Sequence, residues 1–148
     1  MKLFLDVDGV LIGSPMPGSD ELCLASHAFE FLEFATEHFE THWLTPLCRD
    51  DPAPVFRRLL QHTDAGDRQR LLELTSTVQA TDFRKLKTEA LPQREPFAWI
   101  DDAPTGAEIE FLRSRGWLSR WLWVDTREEP DDLLRARRWL AKLTEEGE

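Results

Sequence analysis

Apolar residues fall into four short runs separated by stretches of helical period, and that alternation predicts the architecture. Lys2 to Asp6 (KLFLD) contains no turn residue and ends on an aspartate, the pattern of a strand buried on both faces. His42 to Thr45, closed by Pro46, reads the same way, as do Phe97 to Ile100 (FAWI) and Trp121 to Val124. Between the runs, apolar positions recur at three- and four-residue steps. Phe29, Leu32, Ala35 and Phe39 follow a candidate N-cap at Ser26. Ala53 to His62 carries Pro54 in its first turn, and Arg68 to Leu74 is also helical in period. Pro104 to Arg115 stops at Gly116, and Asp131 to Leu143 follows Pro130. Ile12 to Asp20 (IGSPMPGSD) predicts a loop, whereas Thr63 to Thr88 does not separate into helix and loop by period. Strands alternating with helices predict an α/β fold, a parallel sheet covered on both faces, as one domain over residues 1–148.

Composition narrows the class. At 41% hydrophobic and 31% charged residues the chain is globular rather than disordered, and 148 residues leave no room for a second full domain. No apolar run approaches the roughly 20 residues of a membrane span. Asp6 and Asp8 fall where a signal peptide would be apolar, so the expectation is a cytoplasmic protein with no membrane partner. Cys23 and Cys48 form no metal or disulfide pattern and are expected as reduced thiols. The formal charge of −10 repels phosphate backbones at long range, which disfavours general nucleic-acid binding. A local exception is the stretch RSRGWLSRWLW, Arg113 to Trp123, which interleaves arginine and tryptophan as single-strand binders do. The competing reading places Trp43, Trp99, Trp121 and Trp123 in the core with arginines at a solvated helix end.

In an open parallel sheet the reactive groups collect outside the carboxyl ends of the strands. Here those ends carry Asp6 and Asp8, Thr45, and Asp101 and Asp102. Carboxylates gathered on one edge repel, by about 4 kcal/mol for two charges about 4 Å apart at an effective dielectric near 20. A cation relieves this, and hard all-oxygen ligands suit Mg²⁺. An EF-hand is excluded, because its loop needs glycine in the sixth position and Gly9 is in the fourth, counting Asp6 as the first. The four histidines, His27, His38, His42 and His62, show no ligand spacing. Taken alone, DVDGV also fits an ordinary polar turn after a strand.

DVDGVL, HWLT, KLKTEAL and FAWIDD together resemble, in order, the four motifs of the haloacid dehalogenase (HAD) superfamily, a match running from residue 2 to residue 102. FLDVDGVL, KTEAL and AWIDD look especially like small capless HAD proteins proposed to belong to RNA-repair systems. The resemblance implies a three-layer α/β/α, Rossmann-type fold without a large cap. It implies a Mg²⁺-dependent phosphatase that hydrolyses phosphomonoesters through an aspartyl-phosphate. Asp6 would be the nucleophile, and Asp8 the acid that protonates the leaving oxygen and then the base that activates water. Thr45 would donate to a phosphoryl oxygen and Lys87 would neutralise phosphoryl charge, although Lys85 fits the third motif equally by spacing. Mg²⁺ would bind the Asp6 carboxylate, the Asp8 main-chain carbonyl, and one or both of Asp101 and Asp102.

A carboxylate at position 8 separates the chain from family dehalogenases, phosphonatases and transport ATPases. The gaps Gly9 to Thr41 and Thr88 to Pro96 are too short for a large cap, so the site is expected to be open. That suits a large phosphorylated substrate such as a protein or nucleic-acid end, with Pro15 to Gly18 as a partial lid. Two alternatives stand beside this reading: a nucleic-acid end-processing phosphatase, and a catalytically weak module that recognises phosphate.

Overall fold

In chain order, the computed structural model, which describes residues 1–146, begins with β1 (Lys2–Leu5) and a small hairpin of β2 (Ile12–Gly13) and β3 (Cys23–Leu24). Then come α1 (Ala28–His38), β4 (Glu40–Trp43), α2 (Ala53–Leu60), α3 (Arg68–Thr75), β5 (Phe97–Asp101), α4 (Gly106–Ser114), β6 (Trp121–Trp123) and α5 (Asp132–Glu146). Four strands form one parallel sheet in the order β4-β1-β5-β6, with Leu5 opposite both Trp43 and Ile100, and Asp101 opposite Trp123. The fold is thus α/β, as the alternation of periods predicts.

The strands read as continuous apolar runs because both faces of the sheet are covered. Leu3, Leu5, Ala98 and Ile100 pack in one cluster with Phe31 and Leu32 of α1, Val55 and Leu59 of α2, Leu71 of α3, and Leu133, Ala136 and Leu140 of α5. Phe4, Leu44, Phe97 and Trp99 pack in a second cluster with Leu112 of α4 and with Leu91, which precedes β5. The chain moves from β1 outward to β4, then returns past β1 to β5. That reversal makes a switch point at the carboxyl ends of β1 and β5, the position at which open α/β sheets form a ligand-binding crevice.

Several boundaries differ from the sequence reading. β4 begins at Glu40 rather than His42, because Glu40 and Thr41 pair with Lys2 and Leu3. Its outer edge is also satisfied, with Trp43 N–H donating to Gln79 O at 2.8 Å and Gln79 N–H to Thr41 O at 2.9 Å. Polar residues in a strand give no apolar signal. Ser26 does not cap α1; the N-cap is His27, in the left-handed region at φ 68°. The Ile12 to Asp20 segment is not wholly loop, since Ile12 and Gly13 pair with Leu24 and Cys23. Gly13 is required there, because a Cβ would lie 2.4 Å from Thr126 Oγ1. Trp123 is not core; it is 52% exposed at the end of the edge strand. Thr105 caps α4 as the first member of a reciprocal capping box with Glu108. Among the described residues no helix is long and apolar enough to cross a membrane.

Candidate functional site

Asp6 follows the last residue of β1 and its N–H donates to Ile100 O at 3.1 Å, so it continues the pairing with β5 and stands beside Asp101. The chain then turns tightly, the N–H groups of Val10, Leu11 and Ile12 all converging on Val7 O at 2.9 to 3.2 Å. Gly9 adopts φ +81°, and a Cβ there would fall 2.1 Å from Asp102 Oδ2. The glycine therefore does two things: it reverses the chain and it leaves space for the Asp102 carboxylate.

The crevice holds three carboxylates and one ammonium. Oxygens of Asp6, Asp101 and Asp102 lie within 4.8 Å of one another. Lys87 Nζ donates to Asp101 Oδ2 at 2.6 Å and lies 3.3 Å from Asp6 Oδ1. Lys85 points into solvent, so of the two lysines only Lys87 joins the cluster. Asp6 and Asp101 are 6% and 1% exposed. Burial, reinforced by Asp101, pushes the Asp6 carboxyl well above the usual carboxylate range despite the opposing pull of Lys87. Burial raises Asp102 in the same direction, with Asp101 adding to it. Burial alone would lower the Lys87 ammonium, but the charges of Asp6 and Asp101 outweigh it and hold the value above normal.

The remaining sequence-derived candidates lie close by but outside this cluster. The Asp8 carboxylate is held by Arg58 of α2, through Nη2 at 2.9 Å and Nε at 3.2 Å to the same oxygen. Arg58 is itself steadied through Nη1, by Gln61 Oε1 at 3.2 Å and His62 Nε2 at 3.3 Å. Thr45 is buried two residues beyond β4, and its Oγ1 accepts the Leu47 N–H at 3.4 Å.

Two glutamates absent from the sequence reading fix the backbone that carries Lys87. Glu89 accepts the N–H groups of Arg84, Lys85 and Leu86, at 3.2, 3.0 and 2.7 Å. Glu108, buried on α4, accepts the Lys87 N–H through Oε2 and the Thr105 N–H through Oε1 at 2.8 Å. Four consecutive amides are thereby held by two carboxylates. The Thr-x-x-Glu spacing from Thr105 to Glu108 was a readable signal for the cap, but nothing in the sequence linked Glu108 to Lys87 or Arg58 to Asp8.

The donor set of the crevice fits a hard cation. Three carboxylate oxygens at such mutual distances can converge on one ion of the Mg²⁺ type, which takes one or two carboxylates and keeps several waters. Lys87 offsets only one of the three negative charges. Compared with protein-family models, curated proteins and solved structures, the chain matches none.

Proposed function

We propose that the chain is a Mg²⁺-dependent phosphatase of HAD-like, three-layer design, hydrolysing phosphomonoesters through an aspartyl-phosphate on Asp6. The observation that carries this reading is the Asp6–Lys87–Asp101 contact beside Asp102, at the switch point of a parallel sheet. A structural ion pair needs one carboxylate per lysine; three carboxylates with one lysine leave an excess of negative charge that a bound cation would offset, so that a phosphoryl group could enter beside it.

Asp6, Asp101 and Asp102 would hold the ion, with the Asp8 carbonyl completing the set. Bound Mg²⁺ supplies positive charge that keeps Asp6 ionised and admits a phosphate dianion. The chain performs the rest. An Asp6 carboxylate oxygen attacks phosphorus and the bond to the leaving oxygen breaks. Asp8 gives that oxygen a proton, then takes one from the water that releases inorganic phosphate from Asp6. Asp8 is the partly exposed carboxylate, outside the Asp6–Asp101–Asp102 cluster, and to carry a proton it must give up its ion pair with Arg58 when substrate enters. Lys87 neutralises charge developing on the phosphoryl oxygens, and Thr45 donates its hydroxyl to one of them.

No domain is inserted between β1 and α1, only the β2–β3 hairpin, which supports an open site and a large phosphorylated substrate. The free thiols Cys23 and Cys48 support a reducing, cytoplasmic setting. The test is phosphate release from small phosphomonoesters, phosphopeptides and phosphorylated oligonucleotides, with Mg²⁺ or chelator, for wild type and Asp6→Asn. Metal-dependent release lost in the variant is the expected result. No release by folded wild type from any substrate, or full release by Asp6→Asn, overturns the reading.

A further inference from the structure

We propose that Trp123 is a stacking platform for the leaving group, which makes the substrate a phosphomonoester whose alcohol carries a flat ring, of nucleotide type. This inference rests on the phosphatase reading above. Side chains alternate along each strand, so Phe4 and Asp6, Trp99 and Asp101, and Trp121 and Trp123 share one face of the sheet. Asp101 is opposite Trp123 in register and beside Asp6. With strands about 4.8 Å apart, the Trp123 backbone stands one strand from Asp101 and two strands, roughly 10 Å, from the nucleophile. That offset suits a ring attached through a sugar to a phosphoryl group on Asp6.

The indole is held in place beside the Asp101–Asp102 turn. Its Nε1 donates to the main-chain oxygen of Asp102 at 2.8 Å, which ties the ring to the turn carrying a proposed metal ligand. Even so tied, the residue is 52% exposed, a large aromatic surface left to solvent. The other aromatic groups of the Arg113 to Trp123 stretch are used internally. Trp117 packs edge-on against Phe97 and Phe111 and carries the guanidinium groups of Arg115 and Arg120 over its ring. Trp121 donates to Asp101 O at 3.3 Å and packs in the second core cluster. A large ring pinned at one edge loses little freedom when a planar group stacks on it, and such stacking tolerates any base.

The experiment compares kcat/KM for a nucleoside monophosphate and for glycerol phosphate, with Mg²⁺, in wild type, Trp123→Ala and Trp123→Phe; p-nitrophenyl phosphate serves as a general phosphatase probe. The quantity read is the ratio of the two kcat/KM values, which cancels any loss transmitted through Asp102 alone. Wild type is expected to favour the nucleotide, the ratio to fall about tenfold in Trp123→Ala, and Trp123→Phe to restore most of it. An unchanged ratio in Trp123→Ala overturns the proposal, whether both substrates suffer alike or neither does. Turnover of p-nitrophenyl phosphate by wild type without nucleotide preference removes the platform and leaves the phosphatase. Failure of wild type on every substrate removes both.

Discussion

Replacing Asp102 by asparagine removes a charge without changing shape, and the metal-free protein is expected to become more stable. The carboxylate occupies the space that a Cβ on Gly9 would take, and the amide is isosteric with it. Its oxygen lies within 4.8 Å of oxygens on both Asp6 and Asp101. At an effective dielectric near 20, each such like-charge pair costs about 3.5 kcal/mol when fully ionised. Lys87, partial protonation and solvent reaching the partly exposed Asp102 reduce this, leaving a net gain of about 1–2 kcal/mol for the variant. For a chain of this size that is a rise in Tm of about 2–8 °C. The assay is thermal unfolding followed by circular dichroism in chelator, repeated with Mg²⁺. Wild type should rise with Mg²⁺, because a ligand of the folded state alone stabilises it by mass action, and Asp102→Asn should rise much less. A variant that melts below wild type in chelator refutes the idea that the crevice carries an excess of negative charge.

Other expectations follow from the same geometry. Gly9→Ala places a Cβ 2.1 Å from Asp102 Oδ2 at a φ of +81°, so urea unfolding should show a loss of about 2 kcal/mol or more, together with loss of phosphate release. Glu108→Gln leaves one of the two amides it serves without an acceptor; turnover should fall about tenfold in wild type but hardly at all in a Lys87→Met background, where nothing remains to be positioned. Asp6 and Asp102 bind protons at higher pH in the folded chain than in the unfolded one, so their contribution to stability is largest in acid and is lost as pH rises through the raised values. In chelator, wild type should therefore lose stability relative to Asp102→Asn as pH rises above the ordinary carboxylate range and through the raised values, as read from urea midpoints at each pH. Arg58→Ala should change the urea midpoint little, because its pair with Asp8 is partly exposed and worth about 1 kcal/mol or less, whereas the rate of phosphate release should drop.

Short apolar runs ending in carboxylates were enough to locate β1 and β5 and to gather Asp6, Asp101 and Asp102 at one edge, because a parallel sheet puts all its carboxyl ends together. The same logic missed the start of β4, where Glu40 and Thr41 are strand residues held by Lys2 and Leu3 rather than by their own polarity. It also assigned Trp123 to the core by alternation, although the edge of a sheet has no neighbour to cover the last residue. Arg58 and Glu108 escaped for a different reason. Their partners, Asp8 and Lys87, are 50 and 21 residues away along the chain, and such pairings exist only once helices have docked on the sheet.

The outer edge of β6 bears on how the molecule behaves when crowded. Val124 N–H reaches back to Asp101 O, so the Trp123 carbonyl faces away from the sheet, where it would accept from an incoming strand. Arg135 of α5 takes that carbonyl instead, its guanidinium braced by Asp132 at 2.8 and 3.0 Å. With only three residues in the strand and its last acceptor occupied, the edge gives a second molecule too little to template on, and the sheet stops at four strands. One arginine thus occupies the last free acceptor of the β6 edge, next to the strand end that carries Trp123.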